Sequence, residues 1–147
     1  MYTNQFDVSD RMNRKNNYSD LKKRIDDNYN DILHSICKSQ RLDDLNIIIV
    51  KVKLERATAD TANLFKDFMN KDLESDKNYI IDLSDALFMD SSFLGALVVS
   101  YKKAIAMNSK MNIILNYDKL KILSTIEPLK KILHMHASKE EALREFI

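Results

Sequence analysis

One glycine, one proline and one cysteine occur among the 147 residues. With glycine this scarce, tight turns fall to asparagine and aspartate, which tolerate the left-handed backbone region better than other non-glycine residues. Gly95 stands alone, so neither a glycine-rich phosphate loop nor a dinucleotide fingerprint can be built. The lone Cys37 excludes an internal disulfide and fits a reducing compartment. Charge of one sign is missing as well. The formal net charge is +1, and residues 1–34 carry six basic and six acidic side chains, so no charged tail hides in the average. Bulk electrostatics therefore gives no draw toward nucleic acid or an anionic membrane. No apolar run approaches the roughly 20 residues that span a bilayer. The stretch Met1-Tyr2-Thr3-Asn4-Gln5 lacks the apolar segment of a secretory signal. These absences predict a cytoplasmic protein with no direct membrane insertion.

What is present suits one domain of ordinary size, with 45% hydrophobic residues available for a core. Residues 1–17 are polar and read as a tail. From Ser19, a capping residue, Leu21, Ile25, Tyr29, Ile32 and Leu33 recur at spacings of three and four, which predicts an amphipathic helix over 18–34. Its stripe needs a packing surface, preferably its own domain, with a homodimer contact as the sharper alternative. The sequence divides into an N-terminal extension, 1–34, and a domain, 35–147. Within the domain, Ile36 to Leu42 reads as a strand, Asp43-Asp44-Leu45-Asn46 as a turn, and Ile47 to Leu54 as a strand leaving a buried sheet centre. Thr58 caps a helix with the stripe Ala62, Phe65, Phe68 and Met69. Tyr79 to Ser84 is a buried strand. A helix from Ser91 or Ser92 follows, with Leu94, Leu97, Val98, Tyr101, Ala104 and Ile105 on one face. Met111 to Leu115 is a strand, and Asp118 opens a helix with Leu120, Leu123 and Ile126 that Pro128 limits. Ile132 to His136 reads as an edge strand, and Ser138 with Glu141 caps a last helix. Strands alternating with helices predict an α/β domain.

The most informative stretch is Asp90-Ser91-Ser92. Two hydroxyls sit where an apolar connector, Leu87-Phe88-Met89, hands over to a helix N-terminus. Free backbone N–H groups and the helix dipole favour negative charge there, so a phosphate can be accommodated without breaking the fold. Capping is the plainer reading of a serine at a helix start. The two readings are compatible: Ser91 is the first choice as acceptor, and Ser92 is the second choice as acceptor and the better cap.

The run Asp82-Leu83-Ser84 through Met89-Asp90-Ser91-Ser92-Phe93-Leu94-Gly95-Ala96-Leu97-Val98 resembles the signature of the STAS domain, and more narrowly that of the anti-sigma factor antagonists. The resemblance extends in matching order over about residues 36–147. Leu54-Glu55-Arg56-Ala57-Thr58-Ala59 takes the place of the family's Gly-x-Leu-Asp-x-x-Thr-Ala segment, with Val52 for its glycine and Glu55 for its aspartate. The usual motif reads Asp-Ser-Ser/Thr-Gly-Leu-Gly, and Phe93 stands where its first glycine is expected. The resemblance implies a mixed sheet of four or five strands with helices mainly on one face. It implies that Ser91 is phosphorylated by an anti-sigma factor that is also a serine kinase and brings ATP and magnesium. It further implies that Asp82 orders the loop, and that Glu55, Asp90, Ser91, Ser92, Phe93 and Leu94 meet the partner. Phe93 then either blocks close approach, adds an aromatic anchor or folds inward.

Other constellations are weaker. His134 and His136 alternate on a strand, but two ligands make no convincing zinc site. Cys37 has no activating neighbour in sequence and reads as a small apolar residue. No arrangement supports hydrolase or transferase chemistry, so neither an enzyme nor a bound cofactor or metal is expected. The reading is a regulatory protein-binding module, switched off by phosphorylation at Ser91. The alternative is a non-switching scaffold subunit of a transporter or signalling assembly.

Overall fold

The computed structural model describes residues 8–122, 127–130 and 132–147. The chain forms two compact units that divide after Ile32. The first is dominated by helix α1, Val8–Ile36. Residues 8–17 are thus helical where the sequence reads as a tail, and Ser19 lies inside the helix and does not cap it. Between Val8 and Ile36 there is neither glycine nor proline, so nothing in the backbone chemistry stops the helix earlier. Along the expected stripe, Leu33 is buried and Tyr29 half-buried, whereas Leu21, Ile25 and Ile32 are exposed.

The second unit, Leu33–Ile147, is built on a five-stranded sheet. Its strands are β1 (Cys37–Leu42), β2 (Ile47–Val52), β4 (Asn78–Leu83), β6 (Lys110–Leu115) and β8 (His134–His136), in the spatial order β1-β2-β4-β6-β8. The β1–β2 pair is antiparallel and the rest are parallel. Three two-residue strands, β3 (Arg56–Ala57), β5 (Phe88–Met89) and β7 (Lys121–Ile122), form a second, parallel ladder. Helices α2 (Ala59–Asp72), α3 (Ser91–Ala106), α4 (Glu127–Lys130) and α5 (Lys139–Arg144) complete the unit.

Strand alternation sorts the core into two layers. Ile47, Ile49, Ile80 and Ile114 cluster with Ala142 of α5, with Leu42, Leu143 and Phe146 at the margin. The intervening Ile48, Val50, Tyr79, Ile81 and Ile113 are equally buried and point to the other face. The α2 stripe is buried at all four expected positions, Ala62, Phe65, Phe68 and Met69. Helix α3 packs against both α2 and β6. Its buried arc is Phe93, Leu94, Ala96, Leu97, Ser100 and Ala104, whereas Ile105, expected on that face, is exposed.

Asparagine and aspartate do replace glycine in the turns. Asn46, Asp76 and Asn108 have φ of 55°, 60° and 56°. Each lies one or two residues before a central parallel strand, β2, β4 or β6. They also bind one another: Asn46 Nδ2 donates to the Asp76 carbonyl (2.8 Å), and Asn108 Nδ2 donates to Asp76 Oδ1 (2.6 Å). The end of the sheet where these strands begin is thereby tied shut. The loops at the opposite end lie where parallel sheets commonly bind their ligands.

Two elements differ from expectation. Residues 117–119 form a turn and not the start of a helix, and Lys121–Ile122 is a strand. The cause is the partner strand: β7 pairs with β5, and Lys121 N–H donates to the Leu87 carbonyl (2.9 Å). Leu123 and Ile126 lie outside the described residues. Pro128 is the second residue of α4, where its missing N–H costs nothing, so it belongs to a helix start and does not end one. Among the described residues, no helix is long and apolar enough to cross a membrane.

Cys37 is fully buried, and burial, with the Asp72 charge adding to it, pushes the thiol up to about 12. A thiol with a raised folded pKa leaves stability intact below its unfolded value, near 8.5, and loses it as pH climbs toward 12. We expect the wild-type melting temperature to fall more steeply above pH 9 than that of Cys37→Ala. Parallel melting curves across that range provide the check.

Candidate functional site

The loops after β2 and β4 are organised by the short ladder. The Leu87 and Phe88 N–H groups both donate to the Glu55 carbonyl (2.7 and 3.1 Å), and Asp90 N–H donates to the Ala57 carbonyl (3.1 Å). These bonds bring Asp90 beside the first turns of both α2 and α3. Its Oδ1 accepts from Phe93 N–H (3.0 Å), capping α3, and its Oδ2 accepts from Ala59 N–H (2.9 Å) at the start of α2. One carboxylate therefore complements two helix dipoles. Thr58 stands at the α2 N-cap position, its N–H donating to Thr61 Oγ1 (3.2 Å).

The cap of α3 is thus Asp90 and not Ser92. The Asp90 carboxylate makes a second bond at the same place, from Ala59 N–H at the start of α2, and this favours it as the cap. Ser91 is the first residue of α3, and both serines are exposed. Phe93 turns the other way. It is completely buried, with its ring 5.2 Å from that of Phe65 at an interplanar angle of 38°. Leu94 is buried too. Of the readings open for Phe93, the inward one is the one seen, and Leu94 lies on the core face that its helical spacing assigns to it, so neither side chain is presented on the surface. Phe93 therefore leaves the outer surface beside Ser91 open.

That surface contains two residues the sequence reading passed over as contacts. Gly95, one turn after Ser91, is exposed, and a Cβ built on it would meet nothing within 4 Å. Val99, one turn further, is exposed as well. A glycine inside a helix costs about 0.5–1 kcal/mol relative to alanine, and nothing among the described residues requires the missing side chain. The signal in the sequence was a lone glycine placed within a helical pattern.

Asp82 and Glu55 lie elsewhere in the loop layer. Asp82 Oδ1 accepts from Ser84 N–H (2.9 Å), closing the turn after β4, and Oδ2 pairs with Lys51 Nζ (3.5 Å). Lys51 also reaches Asp85 Oδ1 (3.2 Å) and donates to Ser84 Oγ (3.1 Å), a role that sequence reading missed. Glu55 is exposed and lines a cleft of about 380 Å³ with Lys53, Asp85 and Lys119. It sits at the far end of the short ladder from Asp90, roughly 10 Å of strand away. The structure therefore brings Asp90, Ser91 and Ser92 together and sets Glu55 on a neighbouring mixed-charge surface.

The two strand histidines converge on one carboxylate. His134 Nδ1 lies 2.8 Å from Glu145 Oε1, and His136 Nε2 lies 2.5 Å from Oε2, which ties the last helix to the edge strand. Among the described residues, no group of three or more His, Cys, Asp or Glu is arranged to hold a metal ion.

With this geometry in hand, comparison with known proteins places the fold. The family profile of the STAS domain matches residues 45–142, two thirds of the sequence. The chain belongs to the STAS domain family. Two similar solved structures are a candidate anti-sigma factor antagonist from Thermotoga maritima and an anti-sigma factor antagonist from Mycobacterium paratuberculosis. The first is 22% identical with a TM-score of 0.59, covering 78% of this chain and 97% of that one. The second is 18% identical with a TM-score of 0.60, covering 75% of this chain and 92% of that one. At these identities the likeness is one of fold. No curated protein matches the sequence.

Two substitutions probe the arrangement. Asp90→Ala removes the α3 cap and the acceptor for Ala59, and we expect a loss of about 2 kcal/mol in denaturant unfolding. Phe93→Ala leaves a cavity against Phe65, and we expect a loss of about 3–5 kcal/mol although the family motif itself carries a small residue there. If Phe93→Ala costs less than 1 kcal/mol, the ring does not contribute to the core.

Proposed function

We propose that this chain is a regulatory protein-binding module of the anti-sigma factor antagonist type. In this reading it docks an anti-sigma factor or related serine kinase through the outer face of α3, and phosphorylation of Ser91 releases it. The observation that carries the reading is the pairing of an exposed Ser91 at the helix start with an exposed, structurally unneeded Gly95 one turn on. A missing side chain lets a partner backbone approach closely. A helix start, with Asp90 already holding its neighbours in place, keeps the Ser91 hydroxyl outside the core. The names of the two similar structures agree with this role.

The kinase brings ATP and magnesium and transfers the γ-phosphoryl group to Ser91 Oγ. This chain supplies the acceptor hydroxyl and performs no catalysis. The product carries about −1.5 to −2 charges at pH 7, next to the Asp90 carboxylate. Within the free domain, water and the α3 dipole tolerate it. Against a docked surface, desolvation and repulsion cost about 3 kcal/mol, close to a hundredfold in affinity.

The test uses the partner that co-purifies from the native cells and isothermal calorimetry. Ser91→Asp is expected to bind about a hundredfold more weakly, whereas Ser91→Ala binds like the wild type and accepts no phosphate. Equal binding by both variants points instead to the non-switching scaffold. Gly95→Ala separates fold from function: it is expected to unfold about 0.5–1 kcal/mol later yet to bind the partner more weakly. Unchanged binding by Gly95→Ala would remove α3 from the interface.

A further inference from the structure

Helix α1 displays Tyr18, Leu21, Ile25 and Ile32 at relative exposures of 70%, 55%, 58% and 48%. Tyr18, Ile25 and Ile32 are seven residues apart, with Leu21 between the first two. Apolar residues on a seven-residue repeat line the seam of paired helices; here one seam position is apolar throughout and the other is apolar at Leu21. In heptad terms, Tyr18, Ile25 and Ile32 take the a positions, and Leu21, Asn28 and Ser35 take the d positions. Arg24 and Asp31 take successive g positions on one flank of the seam.

We propose that this stripe is covered by α1 of a second copy of the same chain, running antiparallel. The charges choose both the occupant and the direction. In an antiparallel pair related by a two-fold axis, like flanks meet. Arg24 then faces Asp31 of the second copy, and Asp31 faces its Arg24, one pair on each side of an axis near Asp27. Leu21 packs on Ile32 of the second copy, twice by symmetry, and Ile25 meets Asn28 at the centre. The other flank brings Lys22 toward Tyr29, with no like charges opposed. In a parallel pair Arg24 faces Tyr29 and Asp31 faces Ile36, so neither ion pair forms. The seam extends over little more than two heptads, so the dimer is weak and concentration-dependent.

Sedimentation equilibrium on the full chain tests this. The average mass is expected to rise from 17.1 kDa toward twice that value as concentration increases from about 5 to about 500 µM. Ile25→Asp is expected to hold the protein at the monomer mass. Arg24→Glu and Asp31→Arg are each expected to raise the dissociation constant about tenfold, and the double variant to return it to near the wild-type value. Circular dichroism confirms that each variant keeps its helix content. Charge-swap rescue is specific to the antiparallel pairing. A monomer at every concentration overturns the proposal. So does a monomer whose α1 amides resist hydrogen exchange, because the stripe is then covered within one chain. A dimer indifferent to Arg24→Glu uses another surface, or a parallel register, and also overturns it.

Discussion

The Asp90 carboxylate is the interaction on which the rest of this domain depends. Two helices begin within hydrogen-bonding reach of it, and each oxygen satisfies one of their unpaired N–H groups. Because the cap is supplied from the residue before the helix, neither Ser91 nor Ser92 needs to turn its hydroxyl inward. Because the cap also fixes the start of α3 against α2, Phe93 falls into the space beside Phe65. Exposure of the serine and burial of the phenylalanine are thus two consequences of one charge–dipole arrangement. The departure from the family motif at Phe93 is absorbed by the core, and the surface around Ser91 stays open.

The two ends of the sheet have different chemistry. At one end, Asn46, Asp76 and Asn108 adopt left-handed conformations and bond to one another, leaving short, self-satisfied turns. At the other, the loops after β2 and β4 are stitched by a two-residue ladder and by Lys51 bridging Asp82 and Asp85. A chain with a single glycine reaches this division by spending asparagine and aspartate on turns. Its one glycine sits on an exposed helical face where the fold has no use for it.

Much of this was legible in the sequence, for physical reasons that can be named. The apolar runs of β2, β4 and β6 exceed what a half-exposed strand would carry, so their burial was readable. The α2 stripe follows a clean helical period because α2 packs through one face only. Ser138 and Glu141 mark the last helix by cap chemistry alone, with Ser138 Oγ accepting from Glu141 N–H (3.2 Å). What was not legible depended on partners distant in sequence. Lys121–Ile122 reads as helix until Phe88–Met89 offers it an edge. Asp90 and Ser92 are both good caps, and only the position of Ala59 decides between them. The buried arc of α3 is wider than a simple stripe because that helix packs on both α2 and the sheet, which is why Phe93 goes inward although Leu94 and Leu97 define the periodic face. Residues 8–17 are polar enough to read as a tail, yet they contain no glycine or proline to end α1 short of Val8.

The proposed switch rests on one exposed hydroxyl at a helix start, that of Ser91. The direct measurement is phosphosite mapping by mass spectrometry on the protein recovered from its native cells together with its bound partner. The account predicts phosphate on Ser91 in the free fraction, unmodified Ser91 in the partner-bound fraction, and no phosphate on Ser92. Phosphate on Ser91 within the bound complex, or modification confined to Ser92, would contradict it.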